Sequence, residues 1–247
     1  MARGPATFAS VIVPTRGRPD VLRRAIDSVR AQDLGDWEVI VADDGDGEGI
    51  AAAVSYADPR VRAVANAGRG QADARITALS LARGEFVCWL DDDDWWPDPG
   101  HLSLLRGRSA GERGFAYRGG WIVFEVGGVE ASREPFDHEA TPASMRVNNT
   151  VLTSSLAYPR ELHRELGLLD RELGSYADWD WMLRMCDAGY PPHKLDGLGI
   201  CYSIHDSNVS GAYDAPERKR YFERFAAKHG LEIELANHLR IHRELSN

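Results

Sequence analysis

Four consecutive aspartates, Asp91-Asp92-Asp93-Asp94, follow directly on the apolar run EFVCWL and precede Trp95-Trp96. A charge run is most often a solvated turn. Here the backbone is anchored by an apolar run on one side and two tryptophans on the other, which works against full solvation. Two carboxylates about 4 Å apart repel by about 1 kcal/mol in water, and by roughly 4 kcal/mol at an effective dielectric of about 20. A partly buried cluster therefore calls for a cation, and all-oxygen donors select hard ions such as Mg²⁺ or Mn²⁺, usually shared with phosphate oxygens of a substrate. On extended backbone Asp91 and Asp93 point to one side and Asp92 and Asp94 to the other, so only some of the four serve as ligands.

Three weaker constellations accompany this run. In Asp178-Trp179-Asp180-Trp181, the residues Trp179, Met182, Leu183 and Cys186 recur at helical spacing and form a buried stripe, with Asp178 at its edge in the first turn. Carboxylates there ordinarily only complement the helix dipole, for about 0.3–1 kcal/mol each; one within reach of a substrate proton also serves as a general base. Asp43-Asp44-Gly45 is a common turn sequence, raised in interest by its place after an apolar run, where acidic residues of nucleotide folds read a base or ribose. The neighbouring GDGEG lacks the spacing and the basic residue of a phosphate loop. His205 becomes a metal ligand only if the fold brings it beside the aspartates.

The elements that must position these residues alternate. Residues 8–14, 37–42, 61–65 and 85–90 are short β-branched or apolar runs. Between them Leu22, Ala25, Ile26 and Val29 mark a helix that Asp20 caps, residues 50–57 read as helical, and Ala72, Ile76 and Leu79 mark another helix. Strands alternating with helices give βαβ crossovers and a mostly parallel sheet, whose ligands bind beyond the carboxyl ends of the strands. Pro14-Thr15-Arg16, Asp43-Asp44 and Asp91–Asp94 should thus converge on one crevice. Further along, residues 115–126 read as a strand or hairpin, 130–149 as a loop-rich connection, 178–186 as a helix and 200–204 as a strand. Tyr221, Phe222 and Phe225 lie on a charged amphipathic helix from about Pro216.

Composition narrows the class. The chain has 247 residues, 43% hydrophobic and 27% charged, which is enough apolar material for a full core. A net charge of −9 argues against nucleic-acid coating and against electrostatic docking on anionic lipid. Three widely spaced cysteines without a Cys-x-x-Cys pair read as buried apolar residues in a reducing compartment. The start has no apolar signal region and no stretch has the length of a membrane span, so the expected location is cytoplasmic.

Taken together, these segments resemble the inverting glycosyltransferases of family 2, with a GT-A fold. The resemblance rests on SVIVPTRGRP with RRAIDSVRAQ, WEVIVADDG, ADARITALSLARGEFVCWLDDDD, YADWDWMLRM and YSIHDSNVS, which occur in the family's order. It implies an α/β fold with a Rossmann-like, mostly parallel central sheet flanked by helices and a small mixed second sheet. The division it implies is a catalytic domain over residues 1–215, with a nucleotide half to about residue 100 and an acceptor half beyond, then a C-terminal helical segment over 216–247. By the same resemblance Pro14, Thr15 and Arg16 line the base and ribose, Asp44 contacts the base, and Arg75 lies on the nucleotide-side helix. Asp91 is the first Asp of the metal motif, Asp92 approaches the ribose, Asp93 binds Mn²⁺ or Mg²⁺ with His205 as a further ligand, and Asp178 is the catalytic base. The sequence departs from the family at Ala177, where a Glu is customary, and at Pro97, which comes early.

The implied partners are a nucleoside-diphosphate sugar, most commonly of uridine or thymidine, and an acceptor hydroxyl, with no nucleic acid and no transmembrane segment. Residues 119–150, including Trp121 and Asn148-Asn149, are the expected acceptor region. The C-terminal segment is expected to pack on the core, a homodimer or membrane contact being the alternatives. A metal-dependent nucleotidyltransferase is a second reading, weakened by the lack of a basic glycine-rich loop; a non-catalytic sugar-nucleotide-binding module is a third.

Overall fold

The computed structural model describes residues 7–109, 113–205, 215–236 and 238–245. Strands β1 (Ala9–Thr15), β2 (Trp37–Asp43), β3 (Val61–Ala65) and β4 (Phe86–Trp89) are parallel, in spatial order β3-β2-β1-β4. Every residue of β1, β2 and β4 is buried, because both faces of the sheet are covered. Alternation along the strands feeds two core layers. Ile12, Ile40, Val87 and Trp89 pack with helix α3 (Gly70–Leu79) on one face. Val11, Val13, Val39 and Val41 pack with α1 (Pro19–Arg30) and α2 (Glu48–Val54) on the other.

The α1 stripe is fully buried as its spacing requires, at Leu22, Ala25, Ile26 and Val29. Its start differs from expectation. Pro19 opens the helix and Asp20 lies inside the first turn, making no side-chain cap, because proline's fixed φ suits the first helical position.

The chain winds outward from β1 to β3 and returns to place β4 on β1's other side. At such a reversal the loops leaving the two central strands diverge and open a crevice. The loop after β1 and the aspartate run after β4 both enter it.

Beyond α4 (His101–Ser109) the sheet becomes mixed. Strand β7 (Ala157–Pro159) runs antiparallel to β4 and joins the parallel part to β5 (Phe115–Val126), which pairs with β6 (Val129–Phe136) and, in parallel, with β8 (Pro192–Ile204). Part of the region expected to be loop-rich is thus a strand. Gly127 and Gly128, at φ +60° and +79°, make the two-residue turn of a hairpin, and the mostly exposed side chains of β6 leave no apolar periodicity to read. Helices α5 (Leu162–Leu166), α6 (Ala177–Asp187), α7 (Pro216–His229) and α8 (His238–Leu245) complete the described chain. Phe222 and Phe225 of α7 are buried in the same core layer as Trp179 of α6. Among the described residues no helix is long and apolar enough to cross a membrane.

Candidate active site

The aspartate run is not extended. Asp94 N–H donates to the Asp91 carbonyl at 3.1 Å, closing a turn, so the expected two-sided alternation gives way to four separate environments. Asp91 pairs with the buried Arg75 at 2.6 Å and accepts from Gln71 Nε2 at 3.1 Å. Asp92 accepts from Thr15 Oγ1 at 2.6 Å and from Arg18, and Asp93 accepts from Arg18 Nη1 at 2.7 Å. His205 Nε2 lies 3.1 Å from Asp93 Oδ2. Asp94 turns inward, accepting from Ser154 Oγ and from Ser203 N–H. The fold therefore brings His205 to the aspartates from the end of β8; the rest of that motif, residues 206–210, lies outside the described residues.

Burial dominates the proton affinity of the run. It pushes Asp91 and Asp94 upward, reinforced by Asp93 at both, by Asp178 at Asp91 and by Asp91 at Asp94, with Arg75 opposing at Asp91. Burial also raises Asp92, to about 7, against the pull of Arg18. Asp93 goes the other way, because its bonds to His205 and Arg18 outweigh its burial. Asp91, Asp92 and Asp93 thus face two guanidiniums, Arg75 and Arg18, and their hard oxygen donors with one imidazole fit a divalent cation. Among the described residues no three His, Cys, Asp or Glu side chains already form a metal cage. The Arg18 guanidinium bridges Asp92 and Asp93, where it neutralises part of that charge.

A cavity of about 530 Å³ opens in front of the run, lined in part by Pro14, Thr15, Arg16, Asp44 and Asp92. Arg18, Arg69, Gln71 and Tyr221 line it as well. Asp43 and Asp44 have separate tasks. Asp43 is buried and accepts from Gly45 and Ile50 N–H, fixing the turn. Asp44 faces the cavity and accepts from Asn66 Nδ2 at 2.7 Å and Gly70 N–H at 2.9 Å.

Asp178 and Asp180 also divide. Asp180 is wholly buried and bonded to Arg184, Lys228 and His229 at 2.7–2.9 Å, which ties α6 to the end of α7. Asp178 is half-buried, accepts from Thr153 Oγ1 at 2.6 Å, and lies near enough to Asp91 to push its carboxyl upward. It lines a small pocket of about 60 Å³ with Asn149, Tyr176, Arg218, His238 and Ile241. Asn149 of the expected acceptor region is therefore beside Asp178. Trp121 lines neither cavity and sits under the Arg133 guanidinium.

Arg18, Thr153 and Ser154 escaped the reading of the sequence. Consecutive residues of one short turn hold the two carboxylate groups, Thr153 holding Asp178 and Ser154 holding Asp94. No periodicity marks them. Arg18 stood two residues from Arg16 in a turn-prone run, and only the fold selects which of the two reaches the aspartates.

Comparison with known proteins bears on this arrangement. The model of glycosyl transferase family 2 matches residues 10–118, from β1 into β5. The chain is 30% identical over 232 residues to a putative colanic acid biosynthesis glycosyl transferase of Escherichia coli (strain K12), covering 89% of this chain and 80% of that one. It is 29% identical over 229 residues to an uncharacterized glycosyltransferase of Bacillus subtilis (strain 168), covering 90% and 84%. The fold is similar to that of S. aureus TarS 1-349 in complex with UDP-GlcNAc, with a TM-score of 0.68 at 18% identity over 92% of this chain and 68% of that one. It is also similar to that of a mannosyltransferase from Pyrobaculum calidifontis in complex with GDP-Man and Mn²⁺, with a TM-score of 0.66 at 20% identity over 90% and 63%. Relatives matched along most of their length, and a family model spanning the strands that open the crevice, lead to one assignment: the chain belongs to glycosyltransferase family 2.

Proposed function

We propose that this glycosyltransferase is cation-dependent and inverting, moving a sugar from a nucleoside-diphosphate sugar to an acceptor hydroxyl. The observation that carries the reading is the single turn, Thr153-Ser154, that holds a candidate base and the aspartate run side by side. Pro14, Thr15, Arg16, Asp44 and Asp92 line the 530 Å³ cavity and take the nucleoside; Arg75 acts one layer back, by holding Asp91. The nucleotide-sugar complexes of the structural neighbours support a donor of this class. A uridine or thymidine diphosphate sugar is the donor to test first.

Asp93 and His205 would hold Mn²⁺ or Mg²⁺, which when bound supplies Lewis-acid neutralisation of the charge developing on the leaving diphosphate. Asp178 takes the proton of the acceptor hydroxyl. The acceptor oxygen attacks the anomeric carbon as the bond to the diphosphate breaks on the opposite face, so configuration inverts. Thr153 donates to one Asp178 oxygen and the Trp179 N–H to the other, at 2.7 Å, which orients the carboxylate.

The test is product analysis with UDP- and dTDP-sugars, with and without chelator. Free nucleoside diphosphate, formed with Mn²⁺ or Mg²⁺ and absent in excess chelator, is the expected result. Pyrophosphate as product would point to nucleotidyl transfer, and full activity in chelator would remove the cation.

A further inference from the structure

An ion pair stands behind Asp93 and His205 without lining the cavity. Glu125, near the end of β5, accepts from both terminal nitrogens of Arg24 in α1, and its side chain is 5% exposed. Arg24 Nη2 also donates to the Asp93 main-chain carbonyl at 2.9 Å, and its guanidinium stacks 3.9 Å over the Trp95 ring. Glu125 Oε2, which already takes the Arg24 Nη2 bond, also accepts at 2.7 Å from Ser203 Oγ of β8, two residues before His205. One carboxylate is thereby linked to the backbone of Asp93 and to the strand that delivers His205.

The local backbone supports the same arrangement. The β5–β6 ladder shifts register between Phe124 and Glu125, and a bulge of this kind re-aims a side chain. Ser203 N–H holds Asp94, and Trp95 pairs with Cys201, so β8 and the aspartate turn are already joined. Glu125 adds a second link, from Arg24 on the Asp93 carbonyl to Ser203 of β8.

We infer that Glu125 is a positioning residue for the cation site, holding Asp93 through Arg24 and the His205 strand through Ser203. This rests on the reading of Asp93 and His205 as ligands. Partners behind metal ligands set affinity by orienting them, and their loss commonly costs about 10- to 100-fold.

The test measures Mn²⁺ binding to the full chain in the presence of UDP, from the electron paramagnetic resonance of free Mn²⁺. Glu125→Gln keeps the shape and should weaken Mn²⁺ binding by about 10-fold or more. Ser203→Ala, which removes one hydroxyl and keeps the fold within reach, should shift it in the same direction by less. UDP binding measured by calorimetry without metal should stay within about twofold, which separates positioning from general unfolding. Mn²⁺ affinity unchanged in both variants would overturn the inference. A wild-type chain that binds UDP but no Mn²⁺ would instead remove the ligand reading beneath it, and the inference with it.

Discussion

A carboxylate removes a proton from a hydroxyl only when it stays ionised and aimed, and Asp178 is aimed by Thr153 and the Trp179 N–H. Asp178→Asn keeps the shape, with its amide oxygen accepting from Trp179 N–H and its NH₂ turned to donate to Thr153 Oγ1, but cannot take the proton. The expected outcome is a fall in kcat of about 10²- to 10⁴-fold, with UDP affinity by calorimetry unchanged. Asp180, two residues on, illustrates what spacing could not decide. Both aspartates sit in the first turn of one helix, and only α7, with Lys228 and His229, makes Asp180 structural. Arg75 belongs to the same class of buried pairs. Arg75→Met leaves the partly buried Asp91 without its guanidinium beside other carboxylates, and urea unfolding should show a loss of up to about 3–5 kcal/mol. A loss under about 1 kcal/mol would mean that solvent replaces the guanidinium.

Elements carry their own tests. His101 at the start of α4 stacks on Trp96 at 4.3 Å and lies beside Arg118 and Asp98; burial first, then Arg118, pushes its imidazole down to about 3, with Asp98 opposing. The unfolded chain takes that proton near pH 6.5 and the folded chain refuses it. This contribution to stability is therefore complete above about pH 6.5 and declines as pH falls toward 3, by at most about 1.4 kcal/mol per pH unit. Urea titrations between pH 7 and 4 should show a shallower decline in His101→Gln than in the wild type; parallel curves would rule out His101 as a source. On the C-terminal side, Phe225 is fully buried, 4.6 Å from the Trp179 ring and stacked on Tyr176. Phe225→Ala should cost about 3–5 kcal/mol by chemical unfolding, and a negligible loss would mean that α7 docks only weakly.

Taken as one body, the molecule was most legible where a residue's neighbours are local. The parallel strands and α1 follow from apolar spacing, and the crevice follows from the strand order that such alternation permits. The hairpin after β5 was hidden because β6 is exposed, and glycines rather than apolar residues mark its turn. The aspartate turn was misread as extended because what bends it is distant in sequence: Thr15 holds Asp92, Arg18 holds Asp92 and Asp93, and Ser154 and Ser203 together hold Asp94. The same long-range ties bring the acidic turn and Asp178 side by side.

Crystals grown with UDP and Mn²⁺, with diffraction recorded at the manganese absorption edge, test that shared site. The expected result is one anomalous peak between Asp93 and His205, touching the diphosphate, with Asp178 facing the open side where a sugar would lie. A peak away from the aspartate turn, or UDP bound remote from Asp178, would contradict it.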